Sequence, residues 1–164
     1  MTPHIDPAEF RAAMRLTASG VAVITTDGPA GRAGLTVSTL CSLSMEPPSV
    51  VICVHRDARA LAALAANEIF VANVLAHGQS AVADAFAGAV PEYRDNKFAA
   101  GSWHALDSGA PALRGALCAF DCRLAATFAF GSHRILVGQV TGLETQAGEP
   151  LMFSGRGYRQ LAAA

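Results

Sequence analysis

GLTVSTLCSLSMEPP, residues 34–48, decides how this chain is read. Leu35, Val37, Leu40 and Leu43 mark it as a strand that should build a core. Thr36, Ser38, Thr39, Ser42 and Ser44 place five hydroxyls, and Cys41 a thiol, within nine residues, and Pro47-Pro48 then stop the run. If it is one strand, Thr36, Ser38, Leu40 and Ser42 share one face, and Leu35, Val37, Thr39, Cys41 and Leu43 share the other. Small side chains on the first face would let a flat ligand lie close to the backbone, whose N–H and C=O groups can bond the edge of a heteroaromatic ring. The competing expectation is a solvent-facing strand edge rich in Ser and Thr. These residues alone do not separate the two.

The segment C-terminal to it favours the ligand. Ser49 to Val54 is an apolar strand without polar alternation, so both of its faces should be covered. It runs into His55-Arg56-Asp57-Ala58-Arg59, where Asp57 is expected to cap a helix over 58–66. A helix start flanked by Arg56 and Arg59 suits an anionic group such as a phosphate. A flat-ring floor leading into a phosphate site is the pattern of a mononucleotide site. Farther on, Gly131-Ser132-His133 sets one imidazole at the mouth of a strand. There it can satisfy a backbone carbonyl, or else steer or protonate a second substrate.

The rest of the chain supplies the frame. Asp6, Pro7 and Glu9 form a capping box for a helix reaching about Leu16. Val21 to Thr26 is a β-branched strand, and the turn at residues 27–31 pairs it with the 34–48 segment as a hairpin. Strands are expected at Ile69 to Leu75, Ala116 to Phe128, His133 to Thr141 and Leu151 to Phe153, with a helix at Ser80 to Phe86. Residues 88–111 form the longest irregular connection, and Tyr93, Phe98 and Trp103 argue that it is ordered. Many strands and few short helices indicate a mostly β chain forming a closed or partly closed barrel. The 164 residues fit one domain, 1–164.

A net charge of −1, from 12 basic and 13 acidic residues, gives no electrostatic footprint for nucleic acid or a membrane surface. The hydrophobic fraction of 52% and mean hydropathy of +0.34 exceed what a soluble monomer needs, and a subunit interface is the simplest outlet. The start MTPHIDPAEF lacks the features of a signal peptide, so a cytoplasmic location with reduced thiols is expected. Cys41, Cys53, Cys118 and Cys122 lie in apolar segments and should pack in the core. Phosphate-loop, dinucleotide-fold, nucleophile-elbow and zinc-protease signatures are absent, and the histidines are scattered, so no metal site is expected.

FRAAMRLTASGVAVITTDGPAGRAGLTVSTLCSLSMEPPSVVICV, with FVANVL, DNKFAAGSW, GAPALRGALCAFDCRL, GSHRILVGQV and PLMFSGRGYRQL in order, resembles the flavin reductase family of short-chain NAD(P)H:flavin oxidoreductases. The likeness covers about residues 8–161. It is strongest to reductase components of two-component aromatic hydroxylases and of the pyrimidine-utilisation monooxygenase. It implies an FMN-binding split β-barrel. Thr36, Val37, Ser38, Thr39, Leu40, Cys41 and Ser42 would line the flavin ring largely through backbone groups. His55, Arg56, Ala58 and Arg59 would hold its phosphate. Asn73 would help close the site, His133 would meet the nicotinamide, and Arg156 and Tyr158 would approach the same pocket. It further implies a homodimer with flavin near the interface, NADH or NADPH as co-substrate, FMN or FAD as flavin, and a separate oxygenase receiving the reduced flavin. Two positions depart from the family pattern. Ser132 stands where Asp is usual, and Ala58 where many members carry Ser or Thr, which leaves the arginines and backbone to hold the phosphate. Two other readings stay open: a tightly bound FMN that reduces a corrinoid, ferric iron or a quinone, and a non-catalytic flavin or haem binder.

Overall fold

The structure, a computed structural model, describes residues 4–162. In chain order the elements are α1 (Pro7–Met14), β1 (Ser19–Gly20), β2 (Ala22–Thr26), β3 (Ala33–Val37), β4 (Cys41–Met45), β5 (Pro48–His55), α2 (Ala60–Asn67), β6 (Ile69–Val74) and α3 (Ser80–Ala87). They continue as β7 (Trp103–Ala105), β8 (Pro111–Leu113), β9 (Cys118–Phe130), β10 (His133–Thr145), β11 (Met152–Ser154) and β12 (Gly157–Arg159). The expected mostly β frame with short helices is present. A seven-stranded sheet runs β3-β2-β6-β9-β10-β5-β4, and two small sheets, β1-β11-β12 and β7-β8, lie beside it.

The segment 34–48 is not one strand. It forms β3 at one edge of the large sheet and β4 at the other, with residues 38–40 between them. Seven strands laid flat at about 4.8 Å spacing would hold their edges about 29 Å apart. Four Cα steps from Val37 to Cys41 cover at most about 15 Å. The sheet must therefore curl until its two edges lie within that reach of each other, unpaired, which is how a barrel with a split arises. Thr39 stitches the split: its hydroxyl accepts from the Cys53 N–H at 3.0 Å and donates to the Cys53 carbonyl at 3.1 Å. A side chain that takes over backbone partners in this way interrupts the strand. The continuous hydroxyl face expected at Thr36, Ser38, Leu40 and Ser42 is replaced by a crossing.

The curl also explains why β2 is buried along its whole length. Ala22 and Ile24 face the barrel interior with Ile52, Val54, Leu64, Phe70 and Leu136. Val21 and Val23 face outward, where α3 covers them through Val82 and Phe86 together with Leu75, Leu113 and Leu151. The barrel is packed tightly enough at one bulge that a Cβ on Gly138 would overlap the Phe70 ring.

Several boundaries differ from expectation. Asp6 does cap α1, its carboxylate accepting from the Ala8 N–H at 2.9 Å, but the helix ends at Met14. Asp57 caps nothing: α2 begins at Ala60, and its N-cap, Arg59, makes no side-chain capping bond. Residues 88–111 contain two 3-10 turns, Pro91–Tyr93 and Lys97–Ala100, and the β7–β8 ladder begins at Trp103. Phe86, Phe98 and Trp103 pack there with ring centroids 5.0–5.3 Å apart. Of the cysteines only Cys122 is buried, with burial and the nearby Asp121 pushing its thiol up to about 12; Cys41 is exposed. Among the described residues no helix is long and apolar enough to cross a membrane.

Candidate functional site

The split carries the candidate site. β3 has β2 on one side and no strand on the other, so one edge of its backbone is open for hydrogen bonding where the chain crosses to β4. Along it Val37 is buried in the barrel core and can offer a ligand only backbone, while the Thr36 hydroxyl is spent on the Ala83 carbonyl at 2.6 Å. Ser38 and Thr39 are exposed. They line a cavity of about 380 Å³ shared with Arg156, with Arg11 of α1 and with Arg15 just past its end. Leu40, Cys41 and Ser42 turn away into a separate apolar recess with Met45 and Leu143. The expected floor is thus divided, with Ser38 and Thr39 facing one cavity and Leu40, Cys41 and Ser42 another.

His55 and His133 do come together. They are register partners across β5 and β10, and their rings meet edge to face with centroids 5.1 Å apart. The Ser132 hydroxyl lies 2.9 Å from the His133 Nδ1, and the Ser132 carbonyl accepts from the Arg56 N–H at 2.9 Å. The strand end that carries His133 is thereby tied to the segment that carries Arg56.

Arg56, Ala58 and Arg59 meet at one cavity, and Arg59 also borders a second. Arg56 and Ala58 line a cavity of about 560 Å³ with Arg134. Arg59 reaches that cavity and also a second one, of about 390 Å³, where it joins Arg32, Arg94 and Lys97 over Gly34 and Ala33 of β3. Four cations face this second cavity and Asp95 is its one carboxylate. Burial and then the nearby Arg59 charge hold the Lys97 ammonium below the ordinary lysine range, so the cavity concentrates positive charge that is only partly compensated. Arg32 is held in place by Asp27 at 2.7 Å and lies 5.1 Å from the Phe98 ring centroid. The Lys97 ammonium donates to the Phe86 carbonyl at 3.0 Å. An anion such as a phosphate fits this donor set. Arg32, Arg94 and Lys97 escape a reading of the sequence because they lie in the 27–32 turn and the irregular connection, which periodicity does not read.

Asn73 and Tyr158 both have their polar groups committed within the fold. Asn73 is fully buried and its amide is committed: Nδ2 donates to the Val23 carbonyl at 3.0 Å and to Thr25 Oγ1 at 3.1 Å, and Oδ1 accepts from the Leu113 N–H at 2.7 Å. It brackets β2, β6 and β8 and has no surface to offer a ligand. Tyr158 donates its hydroxyl to Asp84 at 2.6 Å, fastening the β11–β12 hairpin to α3. Burial, with that bond and charge, raises its pKa above the usual tyrosine range. Arg156 sits at the hairpin tip with φ +67°. Among the described residues no group of three His, Cys, Asp or Glu could hold a metal ion.

Comparison with known proteins gives a consistent result. A family model described as a flavin reductase like domain matches residues 14–162. FMN reductase (NADH) RutF 1 of Methylorubrum extorquens is 45% identical over 161 residues, covering 98% of this chain and 79% of that protein. The solved structure of the Streptomyces globisporus NADH:FAD oxidoreductase SgcE6, in complex with NAD and FAD fragments, superposes with a TM-score of 0.88 at 31% identity, covering 96% of this chain and 93% of that one. BorF, the flavin reductase component of a bacterial two-component tryptophan halogenase, superposes with a TM-score of 0.86 at 31% identity, over 97% of this chain and 100% of that one. By sequence and by fold, this chain belongs to the flavin reductase like domain family.

Proposed function

We propose that the protein is an NADH-dependent flavin reductase whose flavin lies along the open edge of β3, with its phosphate among Arg32, Arg59, Arg94 and Lys97. The observation that carries this reading is the continuity of the two halves. The strand edge suited to a flat ring and the four-cation cavity both belong to β3, and Gly34 lines the cavity two residues before Thr36. The flavin and the nicotinamide supply the hydride chemistry, and the protein needs neither a shifted acid nor a nucleophile. Its residues bind, orient and exclude water. The β3 backbone fixes the ring's edge, the cations fix the phosphate, and His133, packed against His55, orients the second substrate at the mouth of the split. Reduced flavin then passes to a separate oxygenase component, a reading supported by the likeness to BorF, itself one component of a two-component system.

A homodimer is part of the same reading. Leu43, Met45, Phe128, Phe130 and Leu143 are each more than half exposed, Met45 at 80% and Phe130 at 81%. Residues 124–130 of β9 have β10 on one side and no strand on the other. Apolar strand edges of this kind are seldom left bare, and a second copy is the partner that answers the surplus hydropathy of the chain. Reduction is tested by mixing the protein with NADH and FMN or FAD under argon. The visible flavin absorbance should bleach with turnover; an unchanged spectrum with both flavins would overturn the reading.

A further inference from the structure

The register that sets Cys41 opposite Val51 and Ser42 opposite Val50 would, carried two residues further, set Thr39 opposite Cys53. At alternate positions of an antiparallel ladder, facing residues exchange both of their N–H to C=O bonds. Cys53 turns both groups toward Thr39, as such a position requires, yet the backbone of Thr39 takes neither. Its hydroxyl takes both, accepting from the Cys53 N–H at 3.0 Å and donating to the Cys53 carbonyl at 3.1 Å. β4 therefore begins only at Cys41, and the chain at residue 39 stands a side chain's length off β5. The N–H and C=O groups of Ser38, Thr39 and Leu40 consequently bond to no other backbone group among the described residues. Unpaired backbone at a sheet edge is a template for further pairing, and here the competing pairing is only one rung away. A hydroxyl that already satisfies both Cys53 groups removes the gain that would draw the Thr39 backbone in.

We propose that Thr39 is a positioning residue: its hydroxyl holds the crossing open, so that the backbone of Ser38, Thr39 and Leu40 stays available to the edge of a flat ring. The proposal deepens the flavin reductase reading and rests on it for the ligand. The pyrimidine edge of a flavin carries an N–H between two carbonyls, a donor and acceptor set that extended peptide can match and that a lengthened β4 would leave without partners. Thr39 acts through the backbone it frees, and its side chain need not touch the ring. The hydroxyls of this segment thus have different tasks: Thr36 fastens β3 to α3 through the Ala83 carbonyl, and Thr39 sets the opening.

Two variants test it. Thr39→Val keeps the shape and removes the hydroxyl, and Thr39→Ser keeps the hydroxyl. In Thr39→Val the Cys53 groups pair with the backbone at position 39 and β4 lengthens. Riboflavin and FMN should both weaken about tenfold, the worth of one or two hydrogen bonds, because the ring and not the phosphate loses its partners. Thr39→Ser should bind both as the wild type does. Amide hydrogen exchange in the flavin-free protein gives a readout that a purely structural role would not move. The amide at position 39 exchanges freely in the wild type and in Thr39→Ser, and becomes protected in Thr39→Val, whose Tm stays level or rises. Unchanged riboflavin affinity in Thr39→Val, an unprotected amide at position 39 in that variant, or a serine variant as weak as the valine one would each overturn the proposal. So would a valine variant that unfolds, since the hydroxyl would then serve stability alone. A wild type that binds neither flavin while the exchange contrast holds would instead sink the flavin reductase reading, and leave Thr39 as the group that keeps the crossing open.

Discussion

Replacing Lys97 by Met removes one cation from the cavity beside β3 and leaves the apolar stem that packs near Phe98. In the free protein the ammonium is half-buried, desolvated and close to Arg59, and it donates to the Phe86 carbonyl. The substitution relieves desolvation and like-charge repulsion while losing one hydrogen bond. These oppose each other, so thermal stability should shift little. Phosphate binding changes far more. A charge-assisted contact at a partly buried site is worth about 1.5–3 kcal/mol, or about 10–100-fold in Kd. The assay is quenching of flavin fluorescence, with FMN and riboflavin titrated in parallel. FMN should weaken by that factor and riboflavin, which has no phosphate, should not. The pH dependence comes from the lowered pKa. Lys97 gives up its proton below the usual 10.5, and a bound phosphate favours the charged form, so wild-type FMN affinity should fall as pH rises through that alkaline window. The Lys97→Met variant should lack this decline. Equal losses for FMN and riboflavin, or none for FMN, would refute the assignment of the phosphate to this cavity.

Two further outcomes are expected. Asn73→Ala removes the amide that the Val23 carbonyl and the Leu113 N–H bond to in a dry core, at about 1–3 kcal/mol for each group left unpaired, while the Thr25 hydroxyl keeps its bond to the Pro111 carbonyl. Urea unfolding should show a large loss of stability while the KM for flavin in the surviving folded protein is unchanged; a raised KM at full stability would return Asn73 to the site. Tyr158 has a folded pKa above its unfolded value, so its contribution is fully present below about pH 10 and is lost as pH rises through the folded pKa. The Tm difference between wild type and Tyr158→Phe should therefore hold at neutral pH and shrink in alkali, and a difference independent of pH would contradict the Tyr158–Asp84 bond.

Much of the fold was legible because burial sets the period of its strands. The β-branched run of β2, the apolar run of β5 and the long β9 and β10 were all visible with boundaries shifted by a few residues. The crossing at Ser38–Leu40 was not, because Leu35 to Leu43 keeps strand-like spacing while Thr39 bonds to Cys53, fourteen positions away, and breaks the strand from outside. The pairing of His55 with His133 and the gathering of Arg32, Arg59, Arg94 and Lys97 depend on register and on a long connection, which local pattern does not encode. The role of Asn73 came from the family resemblance alone, and local pattern does not show that β8 arrives to take up its amide.

The most direct test of the central claim is a wedge at the crossing. Ser38 is exposed where β3 leaves the sheet edge, so Ser38→Trp should fold with an unchanged Tm and oligomeric state. It should also lose FMN binding in a fluorescence titration, because the indole occupies the place of the flavin ring. A folded Ser38→Trp protein that binds FMN as tightly as the wild type would contradict the claim that the split between β3 and β4 is the flavin site.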